Sequence, residues 1–444
     1  MTKLKSALLG TAAALMAATG AQAADLTPEP TFDFVRICDA YGDGYYFIPR
    51  TETCLRISGY VQWRATYSHD DNVGRGLNDP QGALVLTPTA TVDTVGAPNT
   101  TPFGGGFSLN QNTQDFEMLG RVRLRADARE ETQFGTLRAF TELEANDGGS
   151  LNMRFAFIQF AGFTMGQAGI PFGLGIGGGP NYLTISGDNG ASRGQMIYYT
   201  AAFGNGFAVD VGLLESDNWD TVVVAGNSGL VYGGDDNPDA IARIRVEQSW
   251  GSASISGIAS SAQGHINGLG EETEFGWAVR GTAKINTNFL GNGGSVGVKA
   301  TYTAGRSNFA ADWAPDFYFD GFNSGGYDLE LVETWSIFGT AEVGITPNLK
   351  AGIWGGYTTV VDVEDYLIAQ GPGSYSTETW WNVGATFTYS IVENLDLGLD
   401  VVYEHEEGAT WIGFDGDQYN GGDEIFRDDS QDIWRIAIGA QRNF

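Results

Sequence analysis

Residues 120–129 read GRVRLRADAR, with Arg121, Arg123, Arg125 and Arg129 on one parity and Val122, Leu124, Ala126 and Ala128 on the other. Successive side chains of a β-strand point to opposite faces, so this stretch makes one charged face and one apolar face. A helix would scatter both sets around its circumference. The same period governs LRISGYVQWRATYS (55–68), where Leu55, Ile57, Val61, Trp63, Ala65 and Tyr67 oppose Arg56, Ser58, Tyr60, Gln62, Arg64 and Thr66.

Alternating segments recur to the end of the chain. The pattern predicts strands near 55–68, 115–128, 136–145, 153–161, 162–167, 195–203, 206–215, 240–250, 252–262, 274–286, 295–304, 330–345, 348–358, 377–389, 395–405 and 432–444. Tight connections such as Phe203-Gly204-Asn205-Gly206, Thr346-Pro347-Asn348 and Ile391-Val392-Glu393-Asn394 alternate with long polar ones at 69–114, 216–239, 305–329, 359–376 and 406–431. Short turns at one end and long loops at the other are the layout of an outer-membrane barrel. Ten residues of about 3.3 Å rise, tilted by about 40°, cover roughly the 25 Å lipid-facing band of such a barrel. Aromatics near strand ends (Tyr45, Tyr46, Phe47, Trp250, Trp335, Trp380, Trp381, Trp411, Trp434) suit interfacial girdles. The expected fold is all-β: a 16-stranded antiparallel transmembrane β-barrel.

The barrel then dictates where the arginines point. Lys plus Arg number only 24 against 54 Asp plus Glu, so cations crowded onto one strand need a reason. On the lipid face each Arg costs about 2–4 kcal/mol at mid-bilayer, and three would cost about as much as a whole domain's stability of about 5–15 kcal/mol. They are therefore expected to face inward, into water, because a dry interior rejects unpaired charge as well. By parity Arg56 and Arg64 join them from the first strand, Arg138, Glu142 and Glu144 from the third, and Arg154 from the fourth. Neighbouring strands pair, so these residues make a basic patch on one wall. Its role is either to line a pore or to knit the wall together by cross-strand pairing, Arg138 with the neighbours of Glu142, and the two are compatible. Arg243, Arg245, Arg280, Lys284 and Arg435 also point inward by parity.

The leader and the cysteines fit an exported protein. MTKLKSALLGTAAALMAATGAQA (1–23) has a basic start, an apolar run and an A-x-A site, which reads as a signal peptide too short to span a membrane. Cys38 and Cys54, the two cysteines, meet an oxidising compartment and are expected to pair, which would tie the 24–54 segment ahead of a barrel domain at 55–444. The alternative, a metal site, needs more ligands, and His69 is the nearest imidazole. A net charge of −30 argues against nucleic acid.

Several short matches carry no chemistry. Gly173-Leu174-Gly175-Ile176-Gly177-Gly178 fits G-x-G-x-x-G, but no helix pattern follows and Pro180 interrupts. DGDQYNGGDE (415–424) lacks the glycine and the bidentate glutamate of a calcium loop. Glu406, Glu407, Asp415, Asp417, Asp423, Glu424, Asp428 and Asp429 crowd one outer loop, as a solvated acidic face or as a divalent-cation bridge to lipopolysaccharide. His69, His265 and His405 have no catalytic partners in the sequence, so no enzyme and no cofactor are expected.

CDAYGDGYYFIPRTETCLRISGYV (38–61), RFAFIQFAGFTMGQ (154–167), IARIRVEQSWGSASISG (241–257) and the terminal Phe444 together resemble the sixteen-stranded general porins of alphaproteobacteria. The resemblance spreads over the whole chain after the leader. It implies a homotrimer in the outer membrane, in contact with lipid and lipopolysaccharide, that lets small hydrophilic solutes diffuse. It also implies a third loop folded into the lumen as a constriction, here 168–194. That loop usually opposes the wall arginines with carboxylates; here it offers Asp188 alone, and Arg193 opposes it in sign. A substrate-specific channel, for instance for sugars along Tyr60, Phe140, Phe172 and Tyr182, is the alternative, and a non-conducting structural barrel is the third.

Overall fold

A computed structural model describes residues 36–70, 84–87, 106–109, 115–147, 149–176, 193–215, 231–233, 237–266, 270–287, 292–311, 313–323, 326–361, 375–414 and 424–444. The leader at 1–23, Asp188 and Tyr182 lie outside the described residues. The chain divides into two compact units, Met1–Leu55 and Arg56–Phe444. In the first, Cys38 and Cys54 form a disulfide across a Cα–Cα distance of 6.0 Å, which leaves neither thiolate to a metal. Both are buried with Tyr45. A single 3-10 turn, Asp39–Tyr41, lies between the cysteines, and Tyr46 and Phe47 pair with Leu55 and Cys54.

Among the described residues the sheet holds eighteen strands, two of them the short Tyr46–Phe47 and Val231–Gly233; the sixteen that form the barrel are β1 (Cys54–Asp70), β2 (Asp115–Thr132), β3 (Gly135–Asn146), β4 (Asn152–Phe160), β5 (Phe163–Gly169), β6 (Arg193–Gly204), β7 (Phe207–Leu214) and β8 (Asp239–Gln248). They continue as β9 (Gly251–Ile266), β10 (Gly270–Asn286), β11 (Gly294–Ala304), β12 (Glu333–Thr346), β13 (Leu349–Val361), β14 (Tyr375–Val392), β15 (Leu395–Phe414) and β16 (Glu424–Asn443). Each pairs with its sequence neighbours, and β1 pairs with both β2 and β16, so the antiparallel sheet closes without an edge. Closure satisfies every ladder that hydrocarbon could not hydrate.

Local sequence explains the sharp turns. Gly206 has φ +79°, and a Cβ there would stand 1.8 Å from the Glu247 carbonyl oxygen of the next hairpin. Asn205 and Asn394 take positive φ at two of the tight turns, where asparagine is among the residues that tolerate it.

The faces separate as period two requires. Val122, Leu124, Ile57, Val61, Ile244, Ile255, Ile436 and Ile438 are exposed on the outside, a belt that only an apolar medium covers. Trp250, Trp335 and Trp434 also stand exposed, as a girdle requires, but Trp380 does not. It turns inward, buried, with its ring 6.1 Å from that of Trp313.

Two expected loops are built differently. The long polar connection expected at 406–431 is mostly a ribbon, with β15 and β16 each 20 residues long. At its base Tyr403 donates to Asp432 at 2.7 Å, and the His405 ring lies 2.6 Å from the same carboxylate. The connection expected at 305–329 is also not simply an outer loop. Ser307–Phe309 forms a 3-10 turn, and Phe309, Ala310, Ala311 and Phe317 are almost wholly buried. SNFAADWAPDFYF (307–319) is apolar enough to seek cover, and its Ala311 and Ala314 are buried with Val360 of β13 and Ala409 of β15.

Candidate functional site

The inner face of β2, β3 and β4 carries a charge ladder. Register sets Arg121 opposite Asn146, Arg123 opposite Glu144 and Arg125 opposite Glu142. Directly opposed side chains in a sheet lie close enough for these long groups to meet. Arg123 Nε donates to Glu144 at 2.9 Å, Arg121 Nε donates to Asn146 at 2.9 Å, and Arg125 binds Glu142. Arg154, on β4, donates to Glu142 at 2.9 Å and reaches Glu144 as well. Four arginines thus share two buried carboxylates.

A second group sits one step along the same wall. Asp127 is buried and accepts two bonds at 2.9 Å from Arg138, two from Arg129, and lies 3.9 Å from Arg56. Arg138 therefore pairs with Asp127 and with Gln159 at 2.9 Å rather than with the neighbours of Glu142. Among the described residues, the two groups bring seven arginines to three carboxylates. Arg64 lies within electrostatic range of Arg121 and Glu144, and the Arg193 guanidinium is 5.9 Å from the Phe155 ring centre.

The arginines are held from below by rings. Arg123 lies 5.0 Å over Tyr60, and Arg138 lies 4.9 Å over Phe140 and 5.5 Å over Phe157. Such stacking fixes the guanidinium plane while leaving its rim toward water. Arg125 keeps 38% of its side chain exposed and Arg56 keeps 40%.

The opposite inner face is covered. β5 ends at Gly169 and β6 starts at Arg193, so the connecting segment is 170–192, two residues shorter at each end than the expected 168–194. Its described part, 170–176, runs along inward-facing side chains. The Gly173 amide donates to Ser256 Oγ at 2.8 Å, the Leu174 amide donates to Thr282 at 3.2 Å, and Thr340 donates to the Ile176 carbonyl at 3.4 Å. Ile176 is buried with Phe338, Trp354, Val402 and Ala437 of β12, β13, β15 and β16. Phe172 is buried with Met196, Leu214, Ile241, Ile258 and Phe309.

The interior is therefore two unlike halves, not one uniformly wet face. Arginines face inward on β2–β4, while β6–β16 turn inward a mixture of apolar residues such as Ile241, Ile258, Phe338 and Val402 and polar ones such as Asp210, Ser256, Lys299 and Glu404. Of the aromatic path considered for sugars, the three described residues do not form an open surface. Phe172 is buried, Tyr60 is 8% exposed beneath Arg123, and Phe140 lies beneath Arg138. Parity placed Arg243, Arg245 and Arg435 inward but gave them no partners. Arg243 and Arg245 bind buried Asp210 at 2.8 and 3.2 Å, and Arg435 binds Glu404 at 2.6 Å. Asp127 was the residue with the clearest unused signal, since it stands inside the arginine row itself.

The family model described as the porin subfamily matches residues 24–435. The porin Omp2b of Brucella canis is 32% identical over 339 residues, covering 70% of this chain and 78% of its own. Omp2b of Brucella abortus matches to the same extent. Among solved structures, the outer-membrane channel DcaP of Acinetobacter baumannii superposes with a TM-score of 0.63 at 16% identity, covering 90% of this chain and 99% of its own, which speaks to the fold alone. The chain belongs to the porin subfamily and forms a channel across the outer membrane.

Proposed function

We propose that solutes cross along the arginine wall, with Arg56, Arg64, Arg121, Arg123, Arg125, Arg138, Glu142, Glu144 and Arg154 lining the path and segment 168–194 narrowing it. The flow is passive, and small anions are favoured over cations. The observation that carries this is the cluster of seven arginines that, among the described residues, gathers around Asp127, Glu142 and Glu144 on one wall. A unit of excess charge about 8 Å from a permeating ion contributes about 0.5 kcal/mol in water before screening, or about twofold in local concentration. The chain's overall charge of −30 acts at the mouth, where salt screens it over about 8 Å. Ion choice at the narrow level follows the nearest charges.

A homotrimer bathed in outer-membrane lipid and lipopolysaccharide belongs to the same proposal. It rests on the family resemblance, and native mass of the detergent-extracted protein tests it. Reversal potentials of the purified protein in planar bilayers under a salt gradient test the ion preference. An anion preference supports the arginine path; a cation preference moves the path elsewhere.

A further inference from the structure

Two segments enter the barrel, and one guanidinium touches both. Arg280, at the middle of β10, is 6% exposed and faces inward. Its Nε donates to Thr301 Oγ1 on β11 at 2.8 Å, which fixes the plane of the group. Its Nη1 donates to the Phe172 carbonyl at 3.1 Å, in the first inserted segment. Its Nη2 donates to the Phe309 carbonyl, in the second. The guanidinium also lies 4.5 Å over the Phe172 ring, and the Phe172 and Phe309 rings meet edge to face at 4.9 Å.

Each segment has further anchors beyond this junction. Arg243 donates to the Gly173 carbonyl at 2.6 Å, and Gly173, at φ +95°, passes so close that a Cβ would sit 2.8 Å from Arg280 Cδ. Arg306 forms a buried ion pair with Asp239 at 2.6 Å, and Asp316 accepts the Ser307 amide at 2.6 Å. Trp313 then reaches β14, donating to the Thr377 carbonyl at 3.1 Å. The second segment thus runs from the end of β11 across the inner faces of β13 and β14.

We propose that Arg280 is a positioning residue of the channel, holding residues 170–176 and the described residues of the second segment, 305–311 and 313–317, as one body against the wall, so that the second segment shares in setting the free cross-section. An apolar side chain would fill the same space without satisfying two carbonyls from separate segments. A planar fork with five donors does both, and a lysine ammonium does not span them. Buried without a carboxylate among its described partners, the charge is kept by the two segments it holds. The inference requires a conducting barrel, but not that solutes follow the arginine wall.

The test uses the full chain in planar bilayers and in proteoliposomes. Arg280→Met is compared with wild type for single-channel conductance and for swelling rates with sugars of increasing size, with heat-modifiable electrophoretic mobility reporting the folded barrel. The expected result is a roughly twofold rise in conductance and entry of larger sugars, with Arg280→Lys intermediate. A folded Arg280→Met barrel with wild-type conductance and size limit overturns the proposal. If Arg280→Met does not fold, a chain lacking residues 308–314 carries the same test: a wider channel supports the proposal, and an unchanged one overturns it. Reversal potential separates the two ideas, since loss of anion preference at unchanged width speaks only to the arginine path.

Discussion

Gly59 and Phe444 exchange both backbone hydrogen bonds, each 3.0 Å long, and so join the last residue of the chain to the first strand of the barrel. Gly59 is also where β2 comes closest: a Cβ there would lie 2.1 Å from the Arg123 carbonyl oxygen and 3.0 Å from the Phe444 ring. Three strands meet at one glycine.

Gly59→Val is therefore expected to impair closure. Overpacking alone costs about 1–3 kcal/mol, and here the obstacle is backbone that cannot rotate away. A smaller heat-modifiable fraction after refolding is the expected outcome; a wild-type yield of folded barrel contradicts it.

Glu142→Gln should be costly in a different way. Glu142 is 3% exposed and serves Arg123, Arg125 and Arg154, which would lose their common carboxylate. Breaking a wholly buried pair costs about 3–5 kcal/mol, and partial exposure of these arginines lowers that to about 1–3 kcal/mol. Denaturant midpoints in detergent should fall while anion preference rises about twofold through the added net charge.

The triple variant Arg121→Gln, Arg123→Gln, Arg125→Gln should move the reversal potential toward cations, since it removes three of the seven wall cations and keeps all three carboxylates. Conductance should persist. An unmoved reversal potential takes these residues out of the conduction path.

Reduction of Cys38–Cys54 should act locally. The bridge spans a sequence separation of 16, for which chain entropy predicts about 3 kcal/mol. Proteolysis within 36–53 should speed up after reduction while the barrel keeps its heat-modifiable mobility.

Much of this fold was legible because lipid enforces it. A sheet with hydrocarbon on one side must alternate, so all sixteen strands and the inward turn of Arg121, Arg123 and Arg125 could be read from parity. Parity says nothing, however, about what covers an inward apolar residue. Phe338, Ile241, Ile258 and Val402 lie on the inner face, where a wet wall has no use for them. Together with the apolar run 307–319 they were the signal for inserted segments. Arg280 looked like one more lumen arginine because two of its three hydrogen-bond partners are backbone carbonyls, and carbonyls leave no mark in a sequence. The ribbon at 406–431 was hidden for a related reason: a run of acidic residues looks like a solvated loop, and the backbone pairing that extends β15 and β16 leaves no mark in a sequence.

The central claim is that alternate residues of β2 face water and hydrocarbon. Single cysteines at Arg125→Cys and Leu124→Cys, with the native disulfide intact, test it in lipid vesicles with a membrane-impermeant thiol reagent. The cysteine at 125 should react rapidly and lower single-channel current, and the one at 124 should stay unmodified. Rapid labelling at 124 with none at 125 would contradict the account.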